Sequence, residues 1–163
     1  MKKLLLIKLL FWITQAGISP QNIDKNRIEY LCERQYFLDN VYSMEFSVEN
    51  LRRALAYSGI KSPQIAMRQA VLETANFTSE LFIEGKNLFG MRPPKYRTTT
   101  CNGEFNYHAT YPTWFHSVLD YKLWQDYYAS LSYDLTCYYD FLITIQYATD
   151  ILYTKKLQNL NII

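Results

Sequence analysis

The chain has 163 residues, 49% of them hydrophobic, which is enough to bury a core but too few for two ordinary domains. A net charge of +2 and the lack of a Lys/Arg run with interleaved aromatic residues argue against nucleic acid as a partner. Cys32, Cys101 and Cys137 permit at most one disulfide and lack metal-ligand spacing, so we expect neither a disulfide-built scaffold nor a metal or other cofactor.

The N-terminus permits two interpretations. Lys2 and Lys3 precede an apolar run, 4–13, and Ala16 offers a small residue for cleavage. This pattern over residues 1–16 is typical of a signal peptide. Lys8 interrupts the run, which is too short for a stable membrane span, and this favours an extra helix packed on the domain. A signal would direct the protein out of the cytoplasm, and otherwise it would need another export route.

Helical patterns follow. Apolar and charged residues alternate at helical spacing from Asp24 to Asp39. Ser47 is a plausible N-cap for a helix over 48–57, which Gly59 would close. Ser62-Pro63 then opens the next helix, because proline is well tolerated at the first helical position.

The pattern changes between Arg92 and Tyr111. Pro93-Pro94 ends any helix, Thr98 to Thr100 favour a strand, and Asn102-Gly103 is a strong turn signal. These features predict a small β-hairpin. Helical patterns then resume over 114–130, 138–148 and 150–160. The predicted fold class is therefore α+β, mostly α, with a small hairpin lobe.

One carboxylate stands out in the helix that begins at Pro63. Glu73 shares a face with Ala66, Ala70 and Phe77, and apolar residues flank that face. Burial disfavours an ionised carboxylate and raises its pKa, which keeps a proton available for general acid catalysis. The alternative is that Glu73 caps the helix or forms a structural ion pair.

Five short motifs occur in order around Glu73. They are Gln69-Ala70-Val71-Leu72-Glu73-Thr74, Asn87-Leu88-Phe89-Gly90, Tyr111-Pro112-Thr113-Trp114, Asp120-Tyr121, and a closing segment from Tyr147 to Leu157. Together they resemble the bacterial glucosaminidase family of peptidoglycan hydrolases, glycoside hydrolase family 73, over about residues 46 to 160. The resemblance implies a lysozyme-like fold with a cleft between the helical body and the hairpin. It also implies an N-terminal segment, 1–45, before a catalytic domain, 46–163.

The resemblance assigns the general acid to Glu73. The family often has a second Glu in a T-x-E setting on the hairpin, but Thr98-Thr99-Thr100 contains no acid, and the nearest is Glu104. Glu104 either reaches the cleft or is a solvated turn residue. In the second case the second half of the chemistry falls to the substrate's acetamido group or to a water held by Tyr111. Asp120 is expected to be structural, bonding a backbone group or a tyrosine. The candidate sugar-binding residues are Tyr111, Asn87, Phe89, Tyr107 and Trp114.

The implied activity is that of an endo-β-N-acetylglucosaminidase acting on peptidoglycan glycan strands, and we expect a monomer. It would act in the periplasm or cell wall if residues 1–16 are a signal, and otherwise it would stay cytoplasmic until released, as a phage lysin does. Aromatic residues make up 17% of the chain, which suits contact with sugar rings, although core packing explains them equally well. Two alternatives stay open. One is a cell-wall-binding protein that has lost turnover. The other is a muramidase or lytic transglycosylase acting on the neighbouring linkage.

Overall fold

A computed structural model describes residues 25–161. Within that range helices dominate, and the single sheet is an antiparallel pair of strands, β1 (Gly103–Phe105) and β2 (His108–Thr110). This confirms the predicted class, α+β and mostly α. The α-helices are α1 (Lys25–Asn40), α2 (Val48–Tyr57), α3 (Pro63–Glu73), α4 (Glu80–Ile83), α5 (Trp114–Ser130), α6 (Tyr138–Thr144) and α7 (Tyr153–Asn159).

The chain divides into two compact units between Met44 and Glu45. The described part of the first unit consists of α1 and a short 3₁₀ helix, Val41–Ser43. The possible signal peptide, residues 1–16, lies outside the described residues. Among residues 25–161, no helix is both long and apolar enough to cross a bilayer.

In the second unit, the sequence signals at the ends of α2 and α3 act as predicted. The Ser47 hydroxyl accepts a hydrogen bond from the Asn50 N–H at 3.0 Å, which caps α2. Gly59 follows α2 with a φ of +71°, a conformation that glycine adopts without a steric cost. Pro63 occupies the first turn of α3. These local signals place α3, and therefore Glu73 at its end, directly after α2.

Helix α5 is the most buried helix of this unit and has the predicted bounds. Helices α6 and α7 are shorter than the predicted 138–148 and 150–160. Gln146 adopts a φ of +51°, which ends α6. The Asp150 carboxylate accepts a hydrogen bond from the Leu152 N–H at 2.8 Å, so Asp150 makes a turn before α7 instead of its first residue.

The hairpin is present, but its predicted turn is wrong. Asn106 and Tyr107 form the turn, with φ of +50° and +64°, whereas Asn102-Gly103 lies where β1 begins. A Cβ on Gly103 would lie 2.8 Å from the Thr110 hydroxyl, so close approach between strands, not a turn, requires glycine there. The segment 98–100 forms no strand.

A buried ion pair ties the segment before the hairpin to α5. The guanidinium of Arg97 donates to both oxygens of Asp120, at 2.7 and 2.8 Å, and the Tyr111 hydroxyl donates to the second oxygen at 2.8 Å. Asp120 therefore bonds a tyrosine, as predicted. Burial alone would raise the pKa of the Asp120 carboxyl, but the hydrogen bonds from Arg97 and Tyr111 and the Arg97 charge outweigh burial and hold that pKa below its ordinary value.

We expect Asp120→Asn to lower the free energy of unfolding by about 3–5 kcal/mol at neutral pH, because it leaves the Arg97 charge buried without a counter-ion. Since folding lowers the Asp120 pKa, this contribution is complete above the unfolded pKa and is lost as pH falls through the folded pKa. Urea unfolding at several pH values measures both effects. The control is Asp126→Asn on the same helix, which breaks an exposed pair with Lys122 and should cost about 0.3–0.5 kcal/mol. Equal losses in the two variants would contradict the prediction.

Candidate active site

A cleft of about 690 Å³ opens beside the C-terminal end of α3. Glu73, the last residue of that helix, lines it. The other lining residues come from four places: the loop 89–97, His108 on β2, the C-terminal half of α5, and the loop 145–149. The cleft is therefore assembled from segments distant in sequence, and it holds the carboxylate that the sequence singled out.

The Glu73 carboxylate is held on two sides. Its Oε1 accepts a hydrogen bond from the Tyr153 hydroxyl at 2.7 Å. Its Oε2 faces Gly90, where a Cβ would lie 2.9 Å away. Burial raises the pKa of the carboxyl above its ordinary value, while the Tyr153 hydrogen bond and the charge of His108 partly oppose this shift. The group therefore keeps its proton to a higher pH than an exposed glutamate does.

A chain of buried hydrogen bonds leads to this carboxylate. The Gln69 side chain donates to the Tyr153 hydroxyl at 3.2 Å and accepts from the Tyr121 hydroxyl at 2.5 Å. Since Tyr121 uses its single proton there, the Tyr138 hydroxyl, 2.5 Å away, donates to it. Gln125 in turn donates to Tyr138 at 2.6 Å. Every donor in this chain points toward Glu73.

The far end of this series of hydrogen bonds is held by the backbone of Lys61. The Gln125 amide accepts from the Lys61 N–H at 2.8 Å and donates to the Lys61 carbonyl at 3.0 Å. Burial raises the pKa of Tyr138 to about 12 and that of Tyr121 well above its ordinary value, so both hydroxyls keep their protons at neutral pH. The hydroxyls of this hydrogen-bond series therefore remain donors at neutral pH.

The cleft also has a histidine on the hairpin side. The Nδ1 of His108 lies 2.7 Å from the Asn106 carbonyl oxygen. A carbonyl only accepts hydrogen bonds, so Nδ1 carries the proton. In the neutral ring, Nε2 then keeps its lone pair as a hydrogen-bond acceptor.

Comparison with known proteins identifies the family. The model of the glucosaminidase family, described as mannosyl-glycoprotein endo-beta-N-acetylglucosaminidase, matches residues 48–161, more than two thirds of the chain. The chain belongs to the glucosaminidase family. This confirms the predicted resemblance and makes the chain a member of a family of glycoside hydrolases. No curated protein and no solved structure matches it.

Two of the predicted binding residues lie in the loop that passes Glu73. Phe89 lines the cleft but is almost fully buried, stacking on Tyr121 with ring centroids 4.2 Å apart. Asn87 is fully buried, and its amide donates to the Met91 and Ala109 carbonyls at 2.9 and 2.8 Å. Asn87 therefore shapes the loop, and Phe89 supports the cleft floor.

The other four candidates do not line the cleft. Tyr111 is buried with its hydroxyl on Asp120, and Trp114 is buried with its ring 5.9 Å from those of Phe46 and Phe115. Tyr107 is 80% exposed at the hairpin tip, and Glu104 is exposed on β1. The structure thus brings Glu73 and Phe89 together in the cleft and leaves these four outside it.

The sequence analysis did not predict several residues that line or support the cleft. Tyr147 and Tyr153 belong to the closing motif, so a signal for them existed. Their rings stack 5.6 Å apart, and the Tyr147 hydroxyl donates to the Phe89 carbonyl at 2.6 Å. Trp124 and His108 carried no such signal, because one lies inside a helix and the other in an alternating strand. Within residues 25–161, no group of three or more His, Cys, Asp or Glu residues is arranged to hold a metal.

We expect Gly90→Ala to reduce glycosidase activity by about 10²-fold, because the new methyl group displaces the Glu73 carboxyl from its position on Tyr153. Gly59→Ala is the matched control. Both glycines have a positive φ, so both variants should lose about 1–2 kcal/mol of stability, but the Cβ at position 59 meets only Lys122 Cε at 3.7 Å. Activity assays and urea unfolding on both variants check this. Equal activities in the two variants would contradict it.

We expect Tyr153→Phe to move the basic limb of the kcat/KM profile to higher pH. The Tyr153 hydrogen bond lowers the Glu73 pKa, so removing it lets burial raise that pKa further, and the proton is lost later. Tyr139→Phe removes a hydroxyl that bonds Arg68 outside the cleft and should leave the limb in place. A limb that stays in place, or moves to lower pH, in Tyr153→Phe counts against Glu73 as the acid.

Proposed function

We propose that this protein is an endo-β-N-acetylglucosaminidase that cleaves the β-1,4 glycan strands of peptidoglycan, with Glu73 as the general acid. The observation that carries the proposal is the Glu73 carboxyl, which lines the cleft, has a raised pKa and accepts from Tyr153. The family match supports the same reaction class.

In the first step, Glu73 gives its proton to the glycosidic oxygen as that oxygen leaves the anomeric carbon. The carboxylate that remains is stabilised by the Tyr153 hydroxyl, itself polarised by the donors behind it. General acid catalysis of this kind typically contributes about 10²–10⁴ in rate. A residue kept for binding alone would not need this arrangement, which argues against an inactive wall-binding protein.

The second half of the reaction needs a group that attacks the anomeric carbon. Among the described residues that line the cleft, Glu73 is the single carboxylate, and Glu104 lies elsewhere. We therefore assign the attack to the carbonyl oxygen of the substrate's own 2-acetamido group, which forms a cyclic oxazolinium as the leaving group departs. Water then opens this ring, and the Glu73 carboxylate takes the proton of that water and returns to its acid form.

A single cleft carboxylate also suits cleavage of the neighbouring muramyl linkage by a transglycosylase, in which a substrate hydroxyl attacks. Mass spectrometry of digested peptidoglycan separates the candidates by the new end of the product. A reducing N-acetylglucosamine supports the proposal. A reducing muramic acid indicates a muramidase, and an anhydromuramic end indicates a transglycosylase, and either would overturn it.

The site of action follows from the substrate. Peptidoglycan lies outside the cytoplasmic membrane, so we propose that the protein acts there, whether exported or released with a lysis system. The cleft is built by one chain, which supports action as a monomer.

We expect Glu73→Gln to lower turnover by about 10²–10⁴ with the fold intact, because the amide keeps the side-chain shape without a transferable proton. Glu104→Gln makes the same chemical change on the exposed strand β1 and should alter turnover by a few-fold at most. Both variants are assayed on one soluble glycan fragment, with circular dichroism to verify folding. A folded Glu104→Gln enzyme as inactive as Glu73→Gln would show that Glu104 is the second catalytic carboxylate.

A further inference from the structure

The segment from Met91 to Arg97 forms a cationic wall of the cleft that contains Glu73. Arg92, Lys95 and Arg97 all line the cleft. Arg97 is neutralised by its bidentate pair with Asp120. Arg92 and Lys95 are exposed, and neither forms a salt bridge with any described residue. The wall therefore offers two positive charges that the protein itself does not use.

The backbone that carries these two cations is fixed at both ends. At one end, the Met91 carbonyl accepts from the Ala109 N–H at 2.8 Å and from the Asn87 amide at 2.9 Å. At the other end, the ion pair with Asp120 holds Arg97. Between the ends, the rings of Pro93 and Pro94 fix two φ angles. This segment therefore loses little conformational entropy when a ligand binds. A fixed backbone suits the two cations to recognising a ligand.

Few groups in the cleft offset the two charges. Of the described residues that line it, Glu73 is the one acid, and the loop 145–149 contributes neutral side chains. The cleft is therefore electropositive beside the reacting centre. A guanidinium presents a planar fork and an ammonium a point charge, and both form charge-assisted hydrogen bonds with carboxylates.

We propose that Arg92 and Lys95 form a carboxylate-binding subsite, which makes the enzyme select glycan strands bearing carboxylates over neutral polymers of N-acetylglucosamine. This inference rests on the proposed function and deepens it by naming the feature of the substrate that is recognised. Two sources supply such carboxylates in peptidoglycan. One is the free lactyl group of muramic acid in strands without peptides, and the other is the attached peptide in strands that carry one.

The test compares kcat/KM on three soluble substrates. These are a neutral chitin oligosaccharide, peptide-free glycan strands with free lactyl groups, and peptide-bearing strands in which the lactyl group is an amide. The variants are Arg92→Gln, Lys95→Gln and both together. Lys155→Gln on α7 is the matched control, since it removes one exposed positive charge away from the cleft.

We expect the wild type to prefer carboxylate-bearing strands, and the double variant to lose about 10- to 100-fold of that preference, expressed as the ratio of kcat/KM on anionic to neutral substrate. Rising salt should lower the ratio in the wild type and much less in the double variant. A loss confined to peptide-free strands identifies the lactyl group, and a loss confined to peptide-bearing strands identifies the peptide. An unchanged ratio in the double variant, or an equal loss in Lys155→Gln, overturns the subsite.

Calorimetry separates this inference from the proposed function. If the wild type cleaves none of the three substrates, the proposed function fails, but binding of peptide-free and peptide-bearing strands still tests the subsite. If the wild type binds either substrate more tightly than the double variant does, the subsite is supported. If the wild type and the double variant bind both substrates with equal affinity, the subsite is overturned.

Discussion

The hydrogen bond from Tyr153 to Glu73 is the interaction on which the site depends. It is the last of a series that begins at the Lys61 backbone, and each donor is oriented by the one behind it. The hydrogen bonds within such a series polarise one another in a medium of low dielectric constant. The series also crosses α3, α5, α6 and α7, so the contacts that orient the acid are the same contacts that join the helices.

The other side of the acid is shaped by backbone. The Asn87 side chain accepts from the Phe89 and Met91 N–H groups at 3.2 and 3.1 Å, which curls the loop so that Gly90 passes against the carboxylate. A Cβ at position 90 would press on the Glu73 carboxylate and displace it. Asn87 thus fixes the loop beside the Glu73 carboxylate without lining the cleft.

Signals that involve neighbouring residues predict the structure correctly, whereas contacts between residues distant in sequence are not predicted. The N-cap at Ser47, the bounds of α5 and an acid on a mostly apolar helix follow from rules that involve neighbouring residues. Asn102-Gly103 satisfies a local turn rule, but in the structure Gly103 pairs with Thr110 on the opposite strand, and the turn lies at Asn106 and Tyr107. The resemblance implies sugar binding by Tyr111, but the Tyr111 hydroxyl donates to the Asp120 carboxylate. No local pattern indicates that Asp120 also pairs with Arg97.

The distance along the chain between Glu73 and Tyr153 has a consequence for biosynthesis. The two partners are 80 positions apart, and Tyr153 lies on the last described helix. A ribosome adds residues at about 5–20 per second, so for several seconds the nascent chain carries Glu73 with no partner for its carboxylate. Contacts of such large sequence separation also form late in folding. The Glu73 carboxyl therefore gains its hydrogen bond from Tyr153 only after nearly the whole domain has been synthesised and α7 has docked.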